Sequence, residues 1–166
     1  MDKRLLRKLI YTRVDAVLEI LGYVFLLGSF LIAVAACATG TMVVEKFDKA
    51  GNVIKYGPPA ILFLMPASML FCNLLFSLVL HLSNPGTWWN MPFKPRPGRE
   101  IVLYRDIVRM QTVMELLFGS YTLGFNIILY RGYGDAITPL TTVFTVAVLG
   151  DIVGMLVISA RHNRAG

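Results

Sequence analysis

The sequence predicts an all-α integral membrane protein with four transmembrane helices, and three observations carry that expectation. Hydrophobic residues make up 56% of the 166 residues, with a mean hydropathy of +0.64, which is too apolar for an ordinary soluble domain. Four apolar stretches, about 18–39, 60–82, 107–130 and 137–160, match the length of about 20 residues that a helix needs to cross a bilayer. The 16 Lys and Arg residues then fall unevenly between the connecting segments. Lys3, Arg4, Arg7, Lys8, Arg13, Lys94, Arg96, Arg99, Arg105, Arg109, Arg161 and Arg164 lie on one side of a four-span arrangement, against Lys46, Lys49, Lys55 and Arg131 on the other. Basic residues stay in the cytoplasm, so both termini are expected inside. The net charge of +6 thus reads as orientation, with attraction to anionic lipid as a secondary effect; a nucleic-acid partner is not implied.

Met1 to Asp15 reads as a short helix with Leu5, Leu6, Leu9 and Ile10 on one side, anchoring the first span from the cytoplasm rather than lying along the lipid surface. Ile20 to Thr39 is the first crossing. Val34-Ala35-Ala36-Cys37 resembles a lipoprotein cleavage box, but the apolar run is longer than the roughly 7–15 residues of a signal core, and an uncleaved span is expected. Cys37 belongs near its outer end and Cys72 near the middle of the second span. Their depths differ by roughly 15 Å at the helical rise, and a disulfide needs Cα atoms within about 7 Å, so the two do not pair.

Thr41 to Tyr56 holds two β-favouring runs around Asp48-Lys49-Ala50-Gly51-Asn52, which predicts a short extracytoplasmic β-hairpin between helices one and two. Such a hairpin is marginal alone in water and is expected to rest on the helix ends or on another protein. Pro58-Pro59 opens the second span, in which Pro66 is placed to kink the helix and His81 marks the cytoplasmic end. Asn84 to Gly98, with Trp88 and Trp89 at headgroup level, reads as a proline-rich loop on the bilayer surface. A helical lead-in from Glu100 to Arg109 enters the third span, Arg131 to Ala136 turns outside, and the fourth span ends at Arg161-His162-Asn163-Arg164. The chain is expected to be a single domain.

Charged groups at membrane depth are rare and mark packed interiors or wet cavities. Glu115 and Asp151, with Asn73, fall eight or nine residues from the inner ends of their spans, roughly 12–14 Å deep at the helical rise. Gln111, Glu115, Gly119, Thr122 and Asn126 recur every three or four residues and form one polar face of span three. Gly150-x-x-x-Gly154 beside Asp151 is a small-residue pattern that lets helices approach closely. The expectation is that Glu115 and Asp151 share one interface and, in low dielectric, one proton, with Asn73, Gln111 and Asn126 completing a site. A packing cluster of the same residues is the alternative. Neither histidine has a partner at metal-ligand spacing; no metal and no cofactor is expected.

The loops carry a more specific pattern. Lys46-Phe47-Asp48-Lys49-Ala50-Gly51-Asn52 followed by Tyr56-Gly57, and Asn90-Met91-Pro92-Phe93-Lys94 followed by Tyr104-Arg105, resemble the two loop motifs of the bacterial membrane family that forms the N-terminal part of SdpI-type immunity proteins. The first of those motifs runs roughly His-Phe-Asn-x-x-Gly-x-x-Asp-x-Tyr/Trp-Gly-x-Lys. The likeness covers about Thr39 to Asn126. Lys46, Asp48, Ile54 and Pro59 stand where the family has His, Asn, Asp and Lys, so the polar chemistry of the outer motif is largely replaced. The resemblance implies a small multi-pass protein of the bacterial cytoplasmic (inner) membrane, acting in toxin immunity or signalling, without catalytic activity.

Three functions compete. The first is a non-enzymatic protein that binds a toxin, peptide or protein partner through its outer loop. The second is a proton- or cation-linked transporter or channel subunit built on Glu115 and Asp151, which one four-helix copy is too narrow to form, so that a homo-oligomer is implied. The third is an intramembrane aspartyl peptidase, since Leu123-Gly124-Phe125-Asn126 and Val148-Leu149-Gly150-Asp151 resemble the boxes of lipoprotein signal peptidases. Leu129 stands where that pattern requires an Asp, which disfavours it.

Overall fold

The computed structural model describes residues 9–82 and 94–164. They form helix α1 (Arg13–Thr39), strands β1 (Val43–Phe47) and β2 (Val53–Gly57), a 3-10 turn (Pro59–Phe63) that runs into α2 (Leu64–Leu82), α3 (Glu100–Arg131), a second 3-10 turn (Gly134–Ala136) and α4 (Ile137–Arg164). Four segments, Arg13–Thr39, Pro59–Leu82, Glu100–Arg131 and Gly134–Arg164, are long and apolar enough to cross a membrane. The expected β-hairpin is present between the first two. Trp88, Trp89, Asn90 and Pro92, with the rest of the loop as far as Phe93, lie outside the described residues, as do residues 1–8.

The entry to α1 differs from the sequence expectation of one helix through Asp15. Thr12, extended at φ −99° and ψ 170°, is the N-cap, and Asp15 completes a capping box with it. The Asp15 carboxylate accepts from the Thr12 N–H at 2.7 Å and the Thr12 hydroxyl at 2.6 Å. That reciprocal satisfaction of orphan donors starts a fresh helix at Arg13. Ile10, just before the cap, is buried against Leu80 and Val108, so this segment packs into the end of the bundle.

α1 and α3 form the central seam. Asp15, Glu19, Gly22, Leu26, Ser29, Ala33 and Ala36 are the buried residues of α1, spaced alternately by four and three. Val108, Thr112, Glu115, Gly119, Thr122, Asn126 and Leu129 repeat that rhythm on α3, which holds each face against its partner over five turns. The helices run parallel: Arg109 meets Asp15, Gly119 meets Gly22 and Asn126 meets Ser29. They touch backbone to backbone in the middle. A Cβ on Gly22 would stand 2.7 Å from the Glu115 carbonyl oxygen, and one on Gly119 would collide with the carbonyl of Gly22. The close approach expected of Gly150 and Gly154 is thus made by Gly22 and Gly119, whereas Gly150 and Gly154 line an open cleft between α4 and α3. Nothing lies within 4 Å of a Cβ built on Gly150 or Gly154.

α2 packs antiparallel on this seam and α4 lies on the far side of α3, with Phe76, Phe118 and Phe144 in a row of ring contacts across α2, α3 and α4. α3 has the most buried apolar window, 39%, and α4 the least, 6%, so α3 is the core and α4 an outer wall. One end of the bundle gathers Leu9 to Thr12, His81, Lys94 to Arg109 and Ser159 to Asn163. At the other end the antiparallel hairpin caps the helices: Val43 is buried with Ala33, Ala36, Leu62 and Leu129. Its tip rests on the α3–α4 turn, since Gly51, at φ +87°, leaves no room for a Cβ against Asp135. Both cysteines are free thiols.

Candidate functional site

Pro66 has no N–H to give to the carbonyl of Leu62, four residues earlier, and at membrane depth that oxygen needs another donor. Asn126 supplies one: its Nδ2 donates to the Leu62 oxygen at 2.9 Å and to the Ser29 oxygen at 3.3 Å. A proline in α2, an amide on α3 and a carbonyl on α1 are thereby tied together. Asn126 is fully buried, and its Oδ1 has no partner among the described residues.

Lower on the same face, α1, α2 and α3 bring two carboxylates to one hydroxyl. Ser77 Oγ lies 2.5 Å from Glu19 Oε1 and 3.4 Å from Glu115 Oε1, with the Tyr23 hydroxyl at 2.9 Å. A serine has one proton to donate. Given to Glu19, it leaves Ser77 as the acceptor for the other two contacts, so the Glu115 link is a hydrogen bond only when the proton rides on the Glu115 carboxyl. Asn73 Nδ2 donates to the Glu115 main-chain oxygen at 3.2 Å, and Glu115 Oε2 has no partner among the described residues. Glu115 and Asn73 are fully buried.

Glu19 links this pair to the open end. Its two oxygens each lie 3.2 Å from His81 Nε2, and Oε2 accepts from the Tyr11 hydroxyl at 2.5 Å. The His81 side chain is 48% exposed, so a continuous chain of polar atoms runs His81, Glu19, Ser77, Glu115 from the surface to the seam. Burial first, then the hydrogen bond to Glu19 and the negative charge of Glu19, Asp15 and Glu115, pushes the Tyr11 phenol well above its ordinary range. Tyr11 therefore stays a donor to Glu19. Beside it, Arg109 Nε donates to the buried Asp15 at 2.5 Å and Nη2 to Thr12 Oγ1 at 3.1 Å.

The structure thus keeps Glu115 and Asn73 of the expected site together but gives Glu115 a different acidic neighbour. Asp151 lines a cleft with Asp106, Arg109, Met110, Gly150 and Gly154. At 100° per residue, Asp106 and Met110 stand roughly 140–180° around α3 from Glu115. The expected Glu115–Asp151 interface is not formed, because α4 packs on the side of α3 turned away from the seam. Asp151 Oδ2 and Gln111 Oε1 are buried without partners among the described residues. Glu19, Ser77, Tyr11 and Asp15 escaped the sequence reading. The signal for Glu19 and Asp15 was the four-three spacing that runs on from them into Gly22, Leu26 and Ser29; nothing comparable marks Ser77.

The loop-motif residues fall at opposite ends. Lys46, Phe47, Asp48, Gly51, Tyr56 and Gly57 all lie in the hairpin, where Asp48 closes the turn by accepting from the N–H groups of Ala50 and Asn52, both at 2.8 Å. Lys94, Tyr104 and Arg105 lie at the other end, with the Lys94 carbonyl held by Asn163 and the Arg105 guanidinium on the Leu9 carbonyl. Among the described residues no group of three or more His, Cys, Asp or Glu is placed to hold a metal.

Fold and site together define a class, a bundle of four helices long and apolar enough to cross a membrane, with a buried carboxylate pair. Comparison of the chain with family models, with characterised proteins and with solved structures found no match.

Proposed function

We propose that this chain is a bacterial cytoplasmic-membrane protein with both termini inside, acting without covalent catalysis as a proton-responsive partner-binding module in toxin immunity or signalling. The observation that carries the reading is the single Ser77 hydroxyl between Glu19 and Glu115: the pair holds together with one proton on it and separates when both carboxylates are charged. Protonation then sets how tightly α1, α2 and α3 close at their inner ends. The likeness of the hairpin to the outer loop of SdpI-type immunity proteins supports the same reading, with the hairpin as the surface that meets a toxin, peptide or protein. Its exposed Tyr56, Ile54 and Met42 are the contacts such a partner would use.

A second reading, a proton-linked transporter or channel subunit, draws on the polar ladder Glu115, Thr122, Asn126 that runs along α3 toward the hairpin. The backbone contact of Gly22 with Gly119 interrupts that ladder, which favours a switch over a path. Infrared difference spectra of the reconstituted protein across a pH step should show a buried protonated-carboxyl band that Glu115→Gln removes and Asp151→Asn leaves. Proton flux into proteoliposomes that disappears in Glu115→Gln would replace the switch with the transporter, and a band insensitive to Glu115→Gln would overturn both.

A further inference from the structure

The hairpin-capped end holds a cleft that the proton site does not use. Its volume is about 310 Å³, and its walls include Val44 and Glu45 of the hairpin, Met65 and Ser68 of α2, and Phe125 and Asn126 of α3. Ligand sites typically span about 300–1,000 Å³ and are mostly apolar with a few fixed polar groups. The polar groups here are all acceptors. Both amide protons of Asn126 are committed to Ser29 and Leu62, leaving Oδ1 buried behind the cleft wall without a partner among the described residues, and the Ser68 hydroxyl donates to the carbonyls of Leu64 and Met65. Glu45 adds a carboxylate that already takes the Lys55 ammonium on one oxygen. Among the described residues, no other lining side chain carries an N–H or O–H.

We propose that this cleft binds the ammonium head of an aminophospholipid, with one acyl chain lying along Phe125 and Met65. An acceptor buried without a partner at membrane depth costs free energy until a donor reaches it. An ammonium brings three donors and is drawn to the Glu45 carboxylate at the rim. Asn126 lies five residues inside the end of α3, roughly 8 Å along its axis, so an ammonium reaches it from the headgroup zone just beyond while the acyl chain stays in the hydrocarbon. The cleft opens to the outside of the bundle: Leu64, one of its lining residues, is 70% exposed.

The test uses the whole chain in nanodiscs of equal phosphatidylethanolamine and phosphatidylcholine, with retained lipid counted by native mass spectrometry. Phosphatidylcholine has the same charge and chains but no N–H, so the ethanolamine lipid should be retained roughly three- to tenfold more, the worth of one net buried hydrogen bond. Met65→Trp fills the cleft and leaves the Asn126 bonds intact; it should abolish the enrichment without lowering the unfolding temperature. Asn126→Leu should also abolish it, but releases the Leu62 and Ser29 carbonyls as well, so Met65→Trp is the deciding variant. Equal retention of the two lipids, or enrichment that survives Met65→Trp, would overturn the proposal. So would capture of an apolar peptide with a free amine where neither lipid is held.

Discussion

Asp15 is a carboxylate with no access to water, and it survives at a helix start because its own N-cap and one guanidinium from α3 satisfy it. Two donors come from Thr12 and one from Arg109, so capping and charge compensation coincide in one carboxylate. Asp48 shows the same economy outside the membrane, where the exposed hairpin turn is organised by a single side chain. The Asn52 amide side chain first, then the backbone N–H groups of Asn52, Ala50 and Gly51, hold the Asp48 carboxyl below the usual range. A lowered folded-state value means that the turn is favoured at all pH above the ordinary aspartate value of about 3.9 and loses that support as pH falls through the folded value beneath it. Amide hydrogen-exchange protection at Ala50 and Asn52 should therefore be constant from pH 7 to about pH 5 and drop below the ordinary value. Asp48→Ala should show the low-pH protection throughout, and protection in the wild type that persists to pH 2 would show that Asp48 does not organise the turn.

Among the elements, the pairing of α1 with α3 depends on absent side chains. Gly119→Ala must displace the Gly22 carbonyl or part the helices, which places it with overpacking substitutions that cost about 1–3 kcal/mol. Gly150→Ala has open space on its helix and gains helix propensity worth about 1 kcal/mol. Thermal unfolding in detergent should give a clear drop in midpoint for the first and none for the second. Equal effects would mean that the seam is not the tight contact of the bundle. The same pair of positions shows what a sequence can and cannot tell. The four long apolar helices, the hairpin and the polar face of α3 are legible because they rest on local composition and on periodicities of two and 3.6 residues. Which small-residue pattern meets a partner is not local. Gly150-x-x-x-Gly154 satisfies the rule better than Gly22 does, yet it faces α3 across an open cleft rather than in contact. The choice of acid follows suit: equal depth made Asp151 a partner for Glu115, and only the order of helices around α3 turns it away and brings Glu19 instead.

Taken as a whole, the molecule is polarised along its axis, and the polarity ties the proton site to one solution. The end that carries His81, Tyr11 and the Arg109–Asp15 pair also carries, among the described residues, Arg13, Lys94, Arg96, Arg99, Arg105, Arg109, Arg161 and Arg164, eight of the 16 basic residues. In the proposed orientation, with basic loops retained in the cytoplasm, that end is the inner one, and Glu19 and Glu115 would sample cytoplasmic pH through His81 while the hairpin and its cleft face outward. Charge and site are independent observations, and a single topology experiment tests both consequences. In a Cys37→Ser, Cys72→Ser background, Lys49→Cys at the hairpin tip should react with a membrane-impermeant maleimide in intact cells. Arg96→Cys, beside the Asn163 contact at the opposite end, should react only after lysis. The reverse pattern would move the carboxylate pair to the outer surface, and the switch would then read the pH of the medium rather than that of the cell.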